Sequence, residues 1–461
     1  MTNPSAARAC GRVSPARACA LRVVRRVFEQ GAYADRALVS EAAELEPRDR
    51  ALAMALSYGT VQRRATLDHV AGQLVKRPLG RLDPPVLAIL RVGLFELLYL
   101  GGAADYAVVN EMVELAKEQC SRGAGLVNAV LRRGARDGPD MLERLNDDTA
   151  ESAAVFHSVP GWLASKWWEE LGPEEARALM QVVNEPAESA LRVNTLVATV
   201  ADVGAALPVP SRAGPLESLD RPGVLDRPGV LDRPGVLDRR AAFDLPEALV
   251  LGGPFDVQGS ELWRSGAVQP QSRASMLVSR ILAPEPGQRV LDLCAAPGGK
   301  TTHLAALMGR SGEIVAVERH PGRAVALERT AARLGAESVR VEVGDAGSAR
   351  EDGPFDRILV DPPCSGLGTL QSRPDLRWRA RPESVAELAA VQSRILAAGA
   401  HVLAPEGALV YSVCTISREE GEGVIERFLA EHADFKAEGV VQLLPHRDRT
   451  DGFFIARLLR R

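Results

Sequence analysis

Two cysteines in the carboxyl-terminal half carry the most chemical information in this chain. Cys364 lies in DPPCSGLGT and Cys414 in LVYSVCT, each directly after a β-branched run that reads as a buried strand. A residue at the carboxyl end of a parallel strand faces the ligand crevice of a doubly wound sheet. Adjacent strands run about 5 Å apart, so neighbouring strands would present both thiols to one substrate. A cysteine thiolate is strongly nucleophilic and leaves again easily. Upstream, the glycine-rich turn in DLCAAPGGKT would hold a cofactor. The combination points to carbon methylation of a pyrimidine ring.

The turn itself narrows the cofactor. Gly298 and Gly299 let the backbone approach a ligand as side chains would not. Their spacing is not that of the dinucleotide fingerprint, and the full phosphate-loop spacing is lacking despite the Gly-Gly-Lys-Thr ending. Asp292 lies near the end of the first strand of this region and Glu318 ends the second, where an acid accepts hydrogen bonds from ribose hydroxyls. Asp345, after the third strand, is placed to reach an adenine edge. Three acids in register with a glycine loop imply an adenosine-containing cofactor.

The elements that must position these groups follow from the rhythm of the chain. At 461 residues it is too long for one core, so two or three domains are expected. From Glu285 onward strands and helices alternate: Arg289–Cys294, Glu313–Glu318, Val339–Val343, Phe355–Asp361 and Ala408–Val413 read as strands, and Gly452–Leu459 closes the chain. Helices are expected from about Thr301, near Arg323–Leu334, around Glu383–Leu403 and at Glu419–Glu431. Such alternation gives a mostly parallel sheet covered on both faces. The front of the chain is different. From Ala16 to about Arg136 apolar residues recur at helical spacing, as at Leu21, Val24, Val27 and Phe28, with Pro85 near one helix start and Asp105 a candidate cap for another. Five to seven helices are expected there. Residues 137–160 read as a connector, and a small α/β segment follows to about Gly266. Within it LDRPGV repeats three times from Leu219. So short and exact a repeat reads as an inert insert in a tolerant loop.

Composition bounds the rest. Six widely spread cysteines without metal-type pairs fit a reducing compartment, and no metal site is expected. The Val86–Leu100 stretch, interrupted by Arg91 and Glu96, reads as a core helix rather than a membrane span. The first twenty residues lack the apolar core of an export signal, so a cytoplasmic protein is expected. The net charge of −4 hides an asymmetry: residues 1–140 carry 20 Lys and Arg against 15 Asp and Glu, the remainder 36 against 45. A mildly basic helical module beside an acidic enzyme fits contact with phosphates.

DLCAAPGGKT, FDRILVDPPCSG, YSVCT and DGFFIARL together resemble the Sun-type RNA cytosine-5 methyltransferases. VVNEMVELAK and GLVNAVLRR in the helical front resemble the NusB-type RNA-binding fold, which narrows the resemblance to the RsmB (Sun/Fmu) type acting on 16S ribosomal RNA. It covers about 16 to 461 and implies three parts: an all-α NusB-like domain over 16–140, a small α/β (ferredoxin- or RRM-like) segment over 155–266 holding the repeat at 219–239, and a Rossmann-like class I methyltransferase over 267–461. It implies S-adenosyl-L-methionine bound by Cys294, Ala295, Ala296, Pro297, Gly298, Gly299 and Lys300 with Glu318, Asp345 and Asp361. Cys414 is then the nucleophile and Cys364 its helper. Addition of the thiolate at ring carbon 6 makes an enamine able to take a methyl group at carbon 5. Asp361, protonated or proton-sharing, and Lys300 would stabilise density building toward ring nitrogen 3. Arg12, Arg17, Arg22, Arg25 and Arg26 are the analogous candidates for RNA phosphates, with Arg192 and Asn194 as further RNA contacts. The implied partner is 16S RNA or a small-subunit assembly intermediate, with the enzyme a monomer.

Three departures from the family pattern stand out: Pro362 before Pro363, Pro270 where an acid is common, and Gly421 where Asn often follows Glu-Glu. None removes a residue the reaction needs. Two other readings stay open at this stage, the same chemistry on transfer RNA and a NusB-like RNA-binding factor without catalysis.

Overall fold

The computed structural model describes residues 13–216, 243–348, 350 and 352–461. The hexapeptide repeat, Cys10 and Arg12 lie outside the described residues. The chain forms two compact units, Met1–Glu185 with Leu370–Arg379, and Pro186–Thr369 with Ala380–Arg461.

The first unit is helical. Its helices span Pro15–Gln30, Ala34–Glu41, Pro47–Gln62, Arg64–Leu74, Pro84–Phe95, Asp105–Cys120 and Ala124–Glu143. Most of their apolar faces meet in a core that includes Leu21, Val24, Leu56, Ile89, Met112 and Leu131, while the helix Ala34–Glu41 packs in a second cluster with Cys19, Val23 and Val61. Asp105 does not cap its helix. It is the first helical residue behind Ala104 and makes no capping bond, although its charge there still suits the helix dipole. The stretch expected as a connector is largely helical: the helix from Ala124 runs to Glu143, and Ala150–Phe156 is started by reciprocal bonds between Thr149 and Ser152. Helices Gly161–Leu171 and Pro173–Val182 also fall in this unit. Trp167 is buried there, and Arg177 lies over the Trp168 ring at 4.7 Å.

The distant segment Leu370–Arg379 completes the helical unit. Arg377 is fully buried and donates to Ser158 O at 3.1 Å, Asn184 Oδ1 at 2.9 Å and Val183 O at 2.9 Å. Burial pulls its guanidinium down to about 9. Trp378 Nε1 donates to Val61 O at 2.7 Å.

The second unit holds two sheets. The smaller is antiparallel, in the order β2-β3-β1-β4, from β1 (Ala190–Val193), β2 (Ser211–Ala213), β3 (Ala248–Leu251) and β4 (Val268–Pro270). The larger comprises β5 (Arg289–Leu293), β6 (Glu313–Glu318), β7 (Val339–Val343), β8 (Phe355–Val360), β9 (Leu403–Val413), β10 (Phe435–Leu443) and β11 (Phe453–Arg460). Its order is β10-β11-β9-β8-β5-β6-β7. Strands β5 to β9 pair in parallel, while β11 and β10 are antiparallel additions at one side. β10 carries no strong sequence signal and was not expected; it follows the helix Glu422–Glu431 and pairs only with β11. After β7 the chain returns across β5 to form β8, so the sheet reverses direction of growth between β5 and β8. That reversal opens a crevice at the carboxyl ends of the strands. Among the described residues no helix is long and apolar enough to cross a membrane.

Arg17 is not a phosphate contact. It is buried, donating from Nε to Glu96 Oε2 at 2.9 Å and from Nη1 to Glu111 Oε1 at 3.0 Å, with a further bond from Nη2 to Glu96. Removing one partner of a buried pair strands the other charge. Glu96→Ala should therefore lower the unfolding free energy of the helical unit by about 3 kcal/mol, read in a urea titration. An unchanged midpoint would mean that Arg17 reaches water without its partner.

Candidate active site

Three loops from adjacent strands meet at the crevice. The first follows β5. Cys294 takes a left-handed φ of 67° and Gly298 one of 98°. At Gly298 a Cβ would come within 2.6 Å of Leu327 Cδ1, so both conformation and space require glycine. Gly299 is less constrained; a Cβ there meets only Gln271 at ordinary contact distance, and the residue opens the helix Gly299–Leu307. Ala295 N donates to Val317 O at 2.9 Å, which fastens this loop to β6.

Around the loop stand the acids expected to bind the cofactor. Asp292 is buried and accepts from Thr301 Oγ1 at 2.6 Å through one oxygen, while its other oxygen is buried without a partner. Burial chiefly, with Asp361 adding, pushes its carboxyl up to about 7. Glu318 is buried at the end of β6, where one oxygen accepts from His320 N at 2.8 Å and the other lies 3.5 Å from Arg323. Asp345 is exposed and accepts from Gly347 N at 3.1 Å. A backbone cradle at Gly298, a buried acid at the second strand end and an orphaned buried oxygen at Asp292 suit an adenosine cofactor with several hydroxyl and amine donors. The residues present fit it.

The second and third loops carry the thiols. β8 and β9 are parallel neighbours, and Cys364 Sγ lies 3.2 Å from Cys414 Sγ. Gly368 N donates to Cys414 O at 3.1 Å and Gly368 O accepts from Gly452 N at 2.8 Å. A Cβ at Gly368 would stand 1.9 Å from Gly452 O, so the DGFF turn and the Pro-Cys loop touch backbone to backbone. Lys300 Nζ donates to Asp361 Oδ2 at 2.7 Å, Ser412 Oγ donates to Asp361 Oδ1 at 2.8 Å, and the ammonium sits 5.1 Å from the Phe453 ring. Asp361 thus accepts the Lys300 ammonium on one oxygen and the Ser412 hydroxyl on the other. Burial opposes the Lys300 charge, but Asp361 outweighs it and holds the ammonium above its ordinary range.

The two thiols are not equivalent. The hydrogen bond from Cys364 lowers the Cys414 thiol, against burial, and Lys300 helps. The same bond, with burial, raises Cys364 well above the ordinary thiol range. Cys294 is pushed up to about 12 by burial and then by the nearby carboxylates, so it is an inert thiol. The charge pattern favours a Cys414 thiolate accepting a proton bond from Cys364.

Four residues that sequence reasoning passed over complete the site. Ser412 orients Asp361, and Ser365, Thr415 and Glu420 form a buried polar group behind the thiols. The RNA contacts expected in the middle segment need correction. Arg192 is fully buried and donates to Gln271 Oε1 at 2.9 Å, Thr302 Oγ1 at 2.9 Å and the Gly299 carbonyl. Asn194 is buried too and donates to Gly266 O at 3.0 Å and Leu334 O at 2.8 Å. Both latch the small sheet onto the cofactor-side elements, and neither can reach a phosphate. Arg22 and Arg26 pair with Glu41 at 2.7 and 3.0 Å and Arg25 with Glu29 at 2.9 Å, on the helix Pro15–Gln30. Pro270 ends β4 opposite Leu191 and is exposed.

The sequence matches the NusB family over residues 14–136, the ferredoxin-like domain of the RsmF/B methyltransferases over 159–209, and 16S rRNA methyltransferase RsmB/F over 279–459. A probable ribosomal RNA small subunit methyltransferase B of Synechocystis sp. is 34% identical, across 96% of this chain and 99% of its own length. The ribosomal RNA small subunit methyltransferase B of Thermus thermophilus is 34% identical, across 90% of this chain and 89% of its own. The solved structure of PH0851 superposes with a TM-score of 0.77 at 27% identity, over 97% of this chain and 99% of that one.

Two expectations follow from the geometry. Alkylation of Cys414 by iodoacetamide should set in at a lower pH than for an ordinary thiol. Cys364→Ala removes the bond that lowers it and moves the onset to higher pH; superimposable profiles would refute the asymmetry. Arg192→Met removes the guanidinium that ties β1 to the Gly299 carbonyl and Thr302, and should weaken S-adenosyl-L-methionine binding about tenfold, measured by calorimetry.

Proposed function

The chain belongs to the RsmB/F family of 16S ribosomal RNA methyltransferases, with S-adenosyl-L-methionine as methyl donor, and on that premise we propose that it methylates carbon 5 of a cytosine through a covalent bond to Cys414. One observation carries the reading: two thiols 3.2 Å apart at the ends of neighbouring parallel strands, beside a Lys300–Asp361 ion pair. A methylation at nitrogen or oxygen has no use for such a pair.

Cytosine carbon 5 is a poor nucleophile. The Cys414 thiolate adds to carbon 6, forming a carbon–sulfur bond and pushing electron density toward ring nitrogen 3. The proton shared by Lys300 and Asp361 answers that density, and the low dielectric of a buried site strengthens its effect. The cofactor, held by the Cys294–Lys300 loop with Glu318, Asp345 and Asp361, supplies an electrophilic methyl group. Once carbon 5 carries the methyl group, its proton must leave and the carbon–sulfur bond must break, returning the electron pair to Cys414 Sγ. Cys364, against that sulfur, assists the release. The helical unit, with Arg22, Arg25 and Arg26 on one helix, serves the RNA. These three arginines are already paired with carboxylates, so phosphates compete with Glu29 and Glu41 for them.

The test uses 16S RNA containing 5-fluorocytosine, whose carbon 5 cannot lose a proton. Cys414→Ala should form no covalent adduct on a denaturing gel, whereas Cys364→Ala should accumulate one even on unsubstituted RNA. The reverse pattern would exchange the two roles. Methyl transfer to transfer RNA but not to 16S RNA would change the substrate, and tight binding with no transfer would leave a binding factor.

A further inference from the structure

We propose that Glu420 is a positioning residue that clamps the loops behind both cysteines and so sets the separation of the two thiols. Glu420 is fully buried in the loop between β9 and the helix Glu422–Glu431. One carboxylate oxygen accepts from Ser365 N at 2.8 Å and from Gln392 Nε2 at 3.0 Å. The other accepts from Ser365 Oγ and, at 3.2 Å, from Thr415 Oγ1. Ser365 and Thr415 are the residues that directly follow Cys364 and Cys414, and their hydroxyls also meet at 2.9 Å.

The surroundings hold the clamp itself in place. Tyr411 OH donates to the Glu420 carbonyl at 2.6 Å and lies 3.0 Å from Gln392 Oε1. Gln392 Nε2 also donates to Pro363 O at 3.0 Å, one residue before Cys364. Every tie therefore ends on a residue adjoining a thiol or on a group fixing such a residue. A buried carboxylate is costly in a core, and its four donors explain its retention here: no smaller or apolar side chain could bridge both loops. Burial raises the Glu420 carboxyl while these donors oppose the shift.

The clamp has a consequence for the reaction, which rests on the two-thiol reading above. Adduct release needs Cys364 against the Cys414 sulfur, whereas in adduct formation Cys414 is the only thiol that bonds to the ring and Cys364 only eases its ionisation. Loss of the clamp should slow release more than formation. A residue that merely supported the fold would lower the active fraction and scale both steps together.

Two variants of the full chain separate geometry from charge. Glu420→Gln loses the charge but keeps the shape: its oxygen can face Ser365 N and Gln392, and its amide can donate to the two hydroxyls. Glu420→Ala loses both. Diamide, an azo oxidant, removes two electrons and two protons from a thiol pair, leaving one sulfur–sulfur bond and the reduced hydrazine. Bridging of Cys364 to Cys414, mapped by peptide mass, should be about tenfold slower in Glu420→Ala than in Glu420→Gln, because effective concentration depends on orientation. On 16S RNA, Glu420→Ala should accumulate covalent adduct and Glu420→Gln should not. Equal bridging in the two variants would overturn the clamp. Should Glu420→Ala fail to fold, Thr415→Val deletes the hydroxyl that meets Glu420 and Ser365 at constant shape and should slow bridging about threefold relative to the unmodified protein; an unchanged rate would equally overturn it. Bridging that differs while no variant, Cys364→Ala included, forms an adduct would instead sink the covalent mechanism and leave the clamp standing.

Discussion

Parallel strands share an end, and the active site depends on that fact. The ladder that pairs Leu293 with Val360 and Val360 with Tyr411 aligns β5, β8 and β9 so that all three open on the same side. Were β9 antiparallel to β8, Cys414 would leave from the opposite edge, and a strand of ordinary length would set the thiols about 17–20 Å apart. No loop rearrangement recovers that distance. The backbone hydrogen bonds of a sheet interior, far from any reacting atom, thus decide whether two-thiol chemistry is available.

Within the shared crevice, charge divides the labour. Lys300, in the first turn of the helix Gly299–Leu307, and Asp361, just after β8, meet as an ion pair, steadied by Ser412 from the strand that also delivers Cys414. The same lysine lies near enough to favour the Cys414 thiolate, while the hydrogen bond between the thiols loads the proton onto Cys364. Two chemically identical side chains acquire different states from their neighbours alone.

The sheet and the glycine loop were legible because their signals are local. Apolar runs marked β5, β6, β7 and β8 within a residue of their observed ends, and the Pro-Gly-Gly turn marked the cofactor loop. Polar groups in the core were not legible. Glu420 stands in a run of acids, REEGEG, that reads as a solvated helix face, yet it is buried while its neighbour Glu419 is exposed. Arg192, expected as an RNA contact, has three acceptors around it that only the tertiary fold reveals. Asp105 shows the smaller error of one residue at a helix start, where the chain ahead of it supplied no better cap. Sequence pattern reports periodicity, and a single buried charge leaves no periodicity to read.

The segment Leu370–Arg379 belongs to the helical unit although the chain reaches it only six residues beyond Cys364. That bears on how such a protein can be taken apart or recombined. A fragment cut after Glu185 would expose the Val183 and Ser158 carbonyls and the Asn184 side chain that Arg377 now covers. A catalytic fragment beginning at Pro186 would carry a loose ten-residue loop with the half-buried Trp378 and the buried Arg377 facing water. Neither unit is a transplantable cassette, and gene fusion at the obvious boundary would sever a module that the linear map does not show.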